Sequence, residues 1–297
     1  MRIAIIDLGT NTFNLLIADK DHKGNFNTVF KTKIAVKLGE GGLDKNVIAP
    51  KPYQRGIKAL ENHLKTIQDY KVDEFRAFAT SAIRSTTNGE NFVQDVFDLL
   101  GLKIEVIDGA KEAELIYYGV KEICSFGTSH DLIIDIGGGS TEFIIANDSG
   151  IKWSKSYQLG VSRLKELFKP SDPITSVDIQ NIEAHFELSL KDLFEALSQS
   201  PCLKLIGSSG SFDTLIDMIS YRFNDAERRK KKYCEIKTEE YHWAQQHIIE
   251  STLEERIATP GMIEMRADMI VISAILINFI LKKTGIQQIK RSKYALK

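Results

Sequence analysis

The sequence predicts an α/β protein of two similar lobes, and three observations point there. Residues 132–145 read as an apolar strand ending in Asp135, then Gly137, Gly138 and Gly139, then Ser140, Thr141 and Glu142 opening a second β-rich run. Residues 3–18 repeat the scheme, with a strand ending in Asp7, a turn of Gly9, Thr10, Asn11 and Thr12, and another strand. The two Asp residues stand about 130 positions apart, roughly one domain's length. Around both hairpins, strand signals alternate with helical ones, as expected for mixed sheets covered by helices. Each lobe would offer its hairpin to a shared ligand cleft between them.

The glycine turn reads as one that needs positive φ and lets another molecule approach the main chain. Successive free N–H groups there would form an anion nest, with Ser140 and Thr141 adding hydroxyl donors. Asp135 and Glu142 would repel a bare phosphate, so the pattern calls for a Mg²⁺ (or Mn²⁺) ion bridging them to it. An ordinary Gly-rich hairpin is the alternative for one such turn; a second copy argues against chance.

Composition bounds the function. A length of 297 residues is ample for a packed core, and 27% charged with 43% hydrophobic residues is ordinary for a soluble protein. A net charge of −1 excludes a nucleic-acid-type basic surface overall. Cys124, Cys202 and Cys234 are far apart and lack a Cys-x-x-Cys pair, which reads as reduced thiols in the cytoplasm. Asp7 interrupts the N-terminal apolar run, so no signal peptide is expected, and the apolar run 269–281 is too short to span a bilayer. That run predicts a buried helix, with a homodimer contact as the lesser reading.

In order, a third strand is expected over 25–38, then a flexible loop at Gly39-Glu40-Gly41-Gly42 able to move over a ligand. Ile57, Leu60, Leu64 and Ile67 share one face of a helix from Pro50 to about Tyr70. A short strand at 75–79 runs into Thr80-Ser81; a helix at 88–100 ends at Gly101; a strand at 103–107 ends at Asp108-Gly109; a helix covers 111–123. The lobe boundary falls at 125–130, giving lobes 1–124 and 125–297, with the last helix free to return to the first. The second lobe continues with a strand at 151–157, helices at 161–168 and 176–198, a strand at 203–206 and a helix at 212–221; the remainder reads as helical to about Lys283.

Several side chains suit phosphate chemistry. Arg84 follows a strand end, and its planar fork matches phosphate, although an isolated Arg there is more simply a surface salt bridge. Gly207, Ser208, Ser209 and Gly210 form a strand-to-helix turn that serves ligand contact or merely packing. Glu112 opens a helix, where a carboxylate also complements the dipole. Arg228-Arg229-Lys230-Lys231-Lys232 is a solvated face or a track for a long polyanion. His242 and His247 are too badly spaced to ligate zinc together.

These motifs resemble the exopolyphosphatase / guanosine pentaphosphate phosphohydrolase family, within the actin, sugar-kinase and heat-shock ATPase superfamily. The matching stretches are Ile6 to Thr12, Thr80-Ser81-Ala82-Ile83-Arg84 with Asn88, Gly109-Ala110-Lys111-Glu112-Ala113, and Asp135 to Glu142. Leu159 to Leu164, Gly207 to Ser211, Pro260-Gly261 and Arg266-Ala267-Asp268 follow in family order. The resemblance implies duplicated ribonuclease-H-like (actin-like ATPase) lobes. It implies Glu112 as catalytic base with Arg84 beside it, phosphate on the turns at 9–11, 137–141 and 207–210, and metal on Asp7, Asp135 and Glu142. Glu114 stands where the family often has Arg, and Ser273 where it usually has Gly, which weakens the case for a nucleoside contact there. The histidine–aspartate helical domain of longer members is missing from this sequence, which ends at Lys297 where the family usually runs on. The expected activity is Mg²⁺-dependent release of the terminal phosphate of inorganic polyphosphate. Guanosine pentaphosphate is the second substrate, and a non-catalytic polyphosphate or nucleotide sensor is the rival. No nucleic acid or membrane partner is expected.

Overall fold

The computed structural model describes residues 1–296. The chain divides into two compact units, Met1–Lys111 and Glu112–Leu296. Among the described residues, no helix is long and apolar enough to cross a membrane.

In the first unit, β1 (Arg2–Leu8), β2 (Thr12–Lys20) and β3 (Phe26–Ala35) form an antiparallel meander. The long helix α1 (Pro50–Asp69) then returns the chain so that β4 (Glu74–Ala79) pairs parallel to β1. The short α2 (Ser81–Arg84) and α3 (Gly89–Leu100) lead to β5 (Ile104–Val106), which extends the sheet beyond β4. The strand order is therefore β3-β2-β1-β4-β5. Parallel neighbours need a crossover of this length, whereas the meander needs only turns. The apolar face of α1 packs through Ala59, Leu60 and Ile67 onto Ile6, Leu8, Phe13 and Leu15.

The expected flexible loop after β3 is a tied-down turn. Leu43 is buried beside Gly39, and Arg55 donates to the carbonyls of Val36 and Lys37 and to Glu40.

The second unit begins at Glu112, in the first turn of α4 (Gly109–Lys121), whose residues Ala113, Ile116, Tyr117 and Val120 pack on Ile133, Ile144 and Ile206. The sequence places the boundary at 125–130, after this helix; the helix's apolar face packs on the second sheet, and the compact units part within its first turn, after Lys111. That sheet repeats the first. Strand β6 (His130–Ile136) pairs antiparallel with β7 (Thr141–Asn147), and β7 with β8 (Gly150–Tyr157). Helices α5 (Val161–Phe168), α6 (Ser176–Ser189) and α7 (Lys191–Gln199) cross back to β9 (Cys202–Ser208), parallel to β6. The single helix expected over 176–198 is two, because Leu190 leaves helical geometry.

After α8 (Ser209–Arg222) come β10 (Tyr233–Ile236), α9 (Thr238–Glu250), α10 (Leu253–Ala258), α11 (Ile270–Thr284) and β11 (Gln288–Ser292). The order is β10-β11-β9-β6-β7-β8. Strand β10 falls in the region read as helical and β11 just beyond it, where no strand is expected; at four and five residues they are too short to show a period. Helix α11 is buried on nearly every side within the second unit, packed on α5, α6 and α9, which accounts for its continuous apolar run. It therefore offers little surface for a dimer contact.

Candidate active site

In the second unit, Asp135 ends β6 and faces Glu142 directly across the β6–β7 ladder. Both are almost fully buried, at 6% and 1% exposure, and so is Glu112 at 7%. Burial pushes the Glu142 carboxyl well above the ordinary glutamate range, and the charges of Glu112 and Asp135 push the same way. Hydroxyls of Ser140 and Ser156 oppose them, the Ser156 bond measuring 2.7 Å. Glu112 stands in the first turn of α4, where Asp108 accepts from the Lys111 N–H at 2.7 Å. A carboxylate placed only to complement the helix dipole would face water; this one is buried and acts electrostatically on Glu142.

The glycine turn differs from expectation. None of Gly9, Gly137, Gly138 and Gly139 takes a left-handed φ. Close approach explains them instead. A Cβ on Gly137 would meet the Ser140 carbonyl at 2.9 Å, and one on Gly9 the Thr12 carbonyl at 3.1 Å. The two turns close alike, with Gly137 N–H to Ser140 O at 3.0 Å and Gly9 N–H to Thr12 O at 3.1 Å.

The start of α5 then grips the turn from behind. N–H groups of Val161 and Ser162 donate to Gly137 O and Gly138 O at 3.0 and 2.9 Å, and Arg163 Nε donates to Gly139 O at 3.3 Å. A Cβ on Gly160 would overlap the main chain of Gly138 and Gly139. With its carbonyls held, the turn presents the N–H groups of Gly138 and Gly139, which have no protein acceptor among the described residues. The hydroxyls next to them are engaged elsewhere. Ser140 faces Glu142, and buried Thr141 donates to Leu159 O at 2.9 Å.

At the end of β9, Ser208 and Ser209 both donate to Asp135, at 2.6 Å to Oδ2 and Oδ1 respectively. Gly207 and Gly210 have packing roles. The ring of Phe212 lies over Gly207, and the Arg266 guanidinium lies against Gly210 with Nη1 donating to its carbonyl at 2.5 Å and to Thr214 Oγ1 at 3.0 Å. Ser273 bonds Ser211 at 2.7 Å inside the core, which removes it from any ligand contact.

In the first unit, Asp7 is buried at the end of β1, and Asn14 donates its amide to it at 3.0 Å. The carbonyls of Thr10 and Asn11 accept from Leu38 and from Val36 and Lys37, so the hairpin is braced by the segment after β3. Arg84 lies one turn past the end of β4, with Nη1 donating to Ile107 O at 2.9 Å. Sequence reasoning misses Asn14 and Ser156, and it includes Gly160, Arg163 and Arg266 in its matching stretches without giving them a role. A position-by-position overlay of the two hairpins would have found Asn14, which stands where the second has Glu142.

Among the described residues, no three Asp, Glu, His or Cys side chains form a metal cage by themselves. The donor set nonetheless fits Mg²⁺, which prefers carboxylate oxygens and keeps several waters, so one or two carboxylates plus phosphate suffice. In the second unit those carboxylates would be Asp135 and Glu142. The basic run is divided: Arg228 pairs with buried Glu240 at 2.6 Å and with Asp225 at 3.1 Å, whereas Lys230, Lys231 and Lys232 are exposed.

Comparison with known proteins adds to this geometry. A sequence model of the Ppx/GppA phosphatase family matches residues 16–297. A bifunctional 3-dehydroquinate synthase/phosphatase of Fusobacterium nucleatum is 36% identical over 230 residues, covering 72% of this chain and 34% of the relative. A guanosine-5'-triphosphate,3'-diphosphate pyrophosphatase of Vibrio vulnificus is 33% identical over 220 residues, covering 73% of this chain and 43% of the relative. The chain thus spans less than half the length of these curated relatives. Among solved structures, an exopolyphosphatase from Cytophaga hutchinsonii superposes with a TM-score of 0.96 at 36% identity, over 100% of this chain and 95% of that one. A Ppx/GppA family member from Aquifex aeolicus, at 23% identity and TM-score 0.78 over 100% and 94%, shares the fold.

Proposed function

The chain belongs to the Ppx/GppA phosphatase family, and from that premise we propose that it is a Mg²⁺-dependent phosphohydrolase removing the terminal phosphate of inorganic polyphosphate. The observation that carries the reading is the group of buried carboxylates Glu112, Asp135 and Glu142 beside a turn with two open N–H donors. Phosphoryl transfer to water needs charge neutralisation, held oxygens and one group that orients the nucleophile. The Gly138 and Gly139 N–H groups hold phosphate oxygens. Asp135 and Glu142 supply carboxylates for a divalent cation, whose charge would neutralise the phosphate oxygens when bound. Glu112 accepts the proton of the attacking water and sets its direction. In the first unit, Arg84 and the turn at Gly9, Thr10 and Asn11 are suited to phosphate contacts of their own, and Asp7 offers a carboxylate.

Polyphosphate stands first because the exopolyphosphatase from Cytophaga hutchinsonii matches at 36% identity over 95% of its length. Guanosine pentaphosphate stands second, favoured by the Vibrio vulnificus relative. The free cysteines Cys124, Cys202 and Cys234 suit a cytoplasmic setting. The test is phosphate release by the purified protein from each substrate, with Mg²⁺ and with EDTA. Release from polyphosphate that EDTA abolishes is expected. Tight polyphosphate binding without release would identify a sensor, and release from guanosine pentaphosphate alone would reverse the order.

A further inference from the structure

Ser209 carries a left-handed backbone, with φ of +68°, at the first residue of α8. The other non-glycine residues with such φ are explained locally. Asn46 and Lys169 cap helix C-termini, Lys71 and Asn224 sit just beyond the ends of α1 and α8, and Lys37 lies in the turn after β3. Left-handed residues are ordinary where helices stop. At a helix start no capping role requires one, and a side chain there is strained where glycine would not be.

The turn around Ser209 is fixed from both sides, because the Phe212 ring covers Gly207 and the Arg266 guanidinium covers Gly210. If the turn's shape were all that mattered, glycine at 209 would be the more stable choice. What serine adds is a hydroxyl, and that hydroxyl donates to Asp135 Oδ1 at 2.6 Å while Ser208 donates to Oδ2 at 2.6 Å. Ser208 is Asp135's neighbour in the β6–β9 ladder and reaches it without distortion. Ser209 reaches the second oxygen from a left-handed backbone. Strained backbone of this kind persists where the surrounding structure over-determines it, and it gathers at functional sites.

We propose that Ser209 is a positioning residue: its strained conformation sets the plane of the Asp135 carboxylate, with Ser208 holding the other oxygen, so that the outer lone pairs face a divalent cation. This goes beyond a phosphate-contact role for Ser209 and rests on the reading of Asp135 as a cation-facing carboxylate.

The experiment compares Ser209→Gly and Ser209→Ala with the wild type by thermal unfolding, Mn²⁺ titration followed by EPR, and phosphate release from polyphosphate. Ser209→Gly removes strain and hydroxyl together, so its Tm without metal should stay level or rise by about 2–4 °C. Its Mn²⁺ affinity should fall about 10–100-fold, as for other residues that orient a ligand, with kcat falling and KM for polyphosphate little changed. Ser209→Ala keeps the strain and loses the hydroxyl, so it should lose both stability and Mn²⁺ affinity. A Ser209→Gly protein with wild-type Mn²⁺ affinity overturns the proposal, as does one markedly less stable than wild type, or a wild type that binds no Mn²⁺. Wild-type protein that binds Mn²⁺ but hydrolyses nothing would sink the hydrolase reading instead, and the Mn²⁺ and Tm measurements would still decide on Ser209.

Discussion

Asn14 donates its side-chain amide to Asp7 at 3.0 Å, from the ladder position that Glu142 occupies opposite Asp135 in the second sheet. Two hairpins of the same register thus treat their aspartates differently. In the first, a neutral amide donates to one oxygen of the carboxylate. In the second, a carboxylate confronts a carboxylate, with Glu112 as a third. An arrangement of that kind is costly in an isolated protein and becomes favourable with a cation present.

Glu142 should therefore make the metal-free protein sensitive to pH. Burial first, then Glu112 and Asp135, raise its folded pKa above the unfolded value. The folded state then binds the extra proton, so stability falls as pH climbs from the ordinary glutamate range through the raised value. One proton bounds the slope at about 1.4 kcal/mol per pH unit. Thermal unfolding in EDTA between about pH 5 and pH 8 should show a falling Tm for wild type and a flatter profile for Glu142→Gln. Parallel profiles would mean that Glu142 titrates normally.

Glu112→Gln should leave polyphosphate binding nearly intact and lower turnover by on the order of 10²–10⁴-fold, the usual contribution of a general base. Gln keeps the size but accepts no proton from water. Near-normal turnover would remove Glu112 from the chemistry.

The turn itself depends on what stands behind it. Thr141→Val deletes a buried hydroxyl and strands the Leu159 carbonyl, at a cost of about 1–3 kcal/mol. Gly160→Ala should do more damage, because its Cβ falls on the main chain of Gly138 and Gly139 and must push the N–H groups out of place. Calorimetry and polyphosphate affinity together check this: Thr141→Val should lose mainly Tm, and Gly160→Ala both. A Gly160→Ala protein of wild-type affinity would mean that the N–H groups of the turn do not hold the ligand.

The duplicated hairpins were readable in the sequence because an apolar strand, an Asp and a Gly turn are local features. Both sheets confirm them, with matching β1–β2 and β6–β7 registers. The reason for the glycines was not readable. Positive φ is the familiar cause, whereas here Gly160, far along the chain from Gly138, must come close to it. The bond from Arg266 to Gly210 was hidden in the same way, since 56 positions separate the two. Ser140 and Thr141 look like ligand donors on paper, and only packing reveals that their hydroxyls are taken by Glu142 and Leu159. Strands β10 and β11 escaped because sheet pairing, not their own short sequences, makes them strands.

The basic run can now be tested in parts. Arg228 spans buried Glu240 and Asp225, so Arg228→Gln leaves a buried carboxylate without its partner. Breaking such a pair costs about 3–5 kcal/mol, and the loss should appear as a lower Tm whatever the substrate. Among the described residues Lys230 pairs only with exposed Glu227, an interaction worth about 0–1 kcal/mol, and Lys231 and Lys232 are exposed as well. The triple change of Lys230, Lys231 and Lys232 to Gln should accordingly leave Tm within a few degrees. If these lysines track a repeating anion, each contact releases counterions, by analogy with single-stranded nucleic acid at about 0.7 per contact. The slope of log affinity against log salt for polyphosphate should then flatten by about 2, while that for guanosine pentaphosphate changes much less. Titrations of both ligands at several salt concentrations decide it: equal slopes before and after the triple change would make this segment a solvated face.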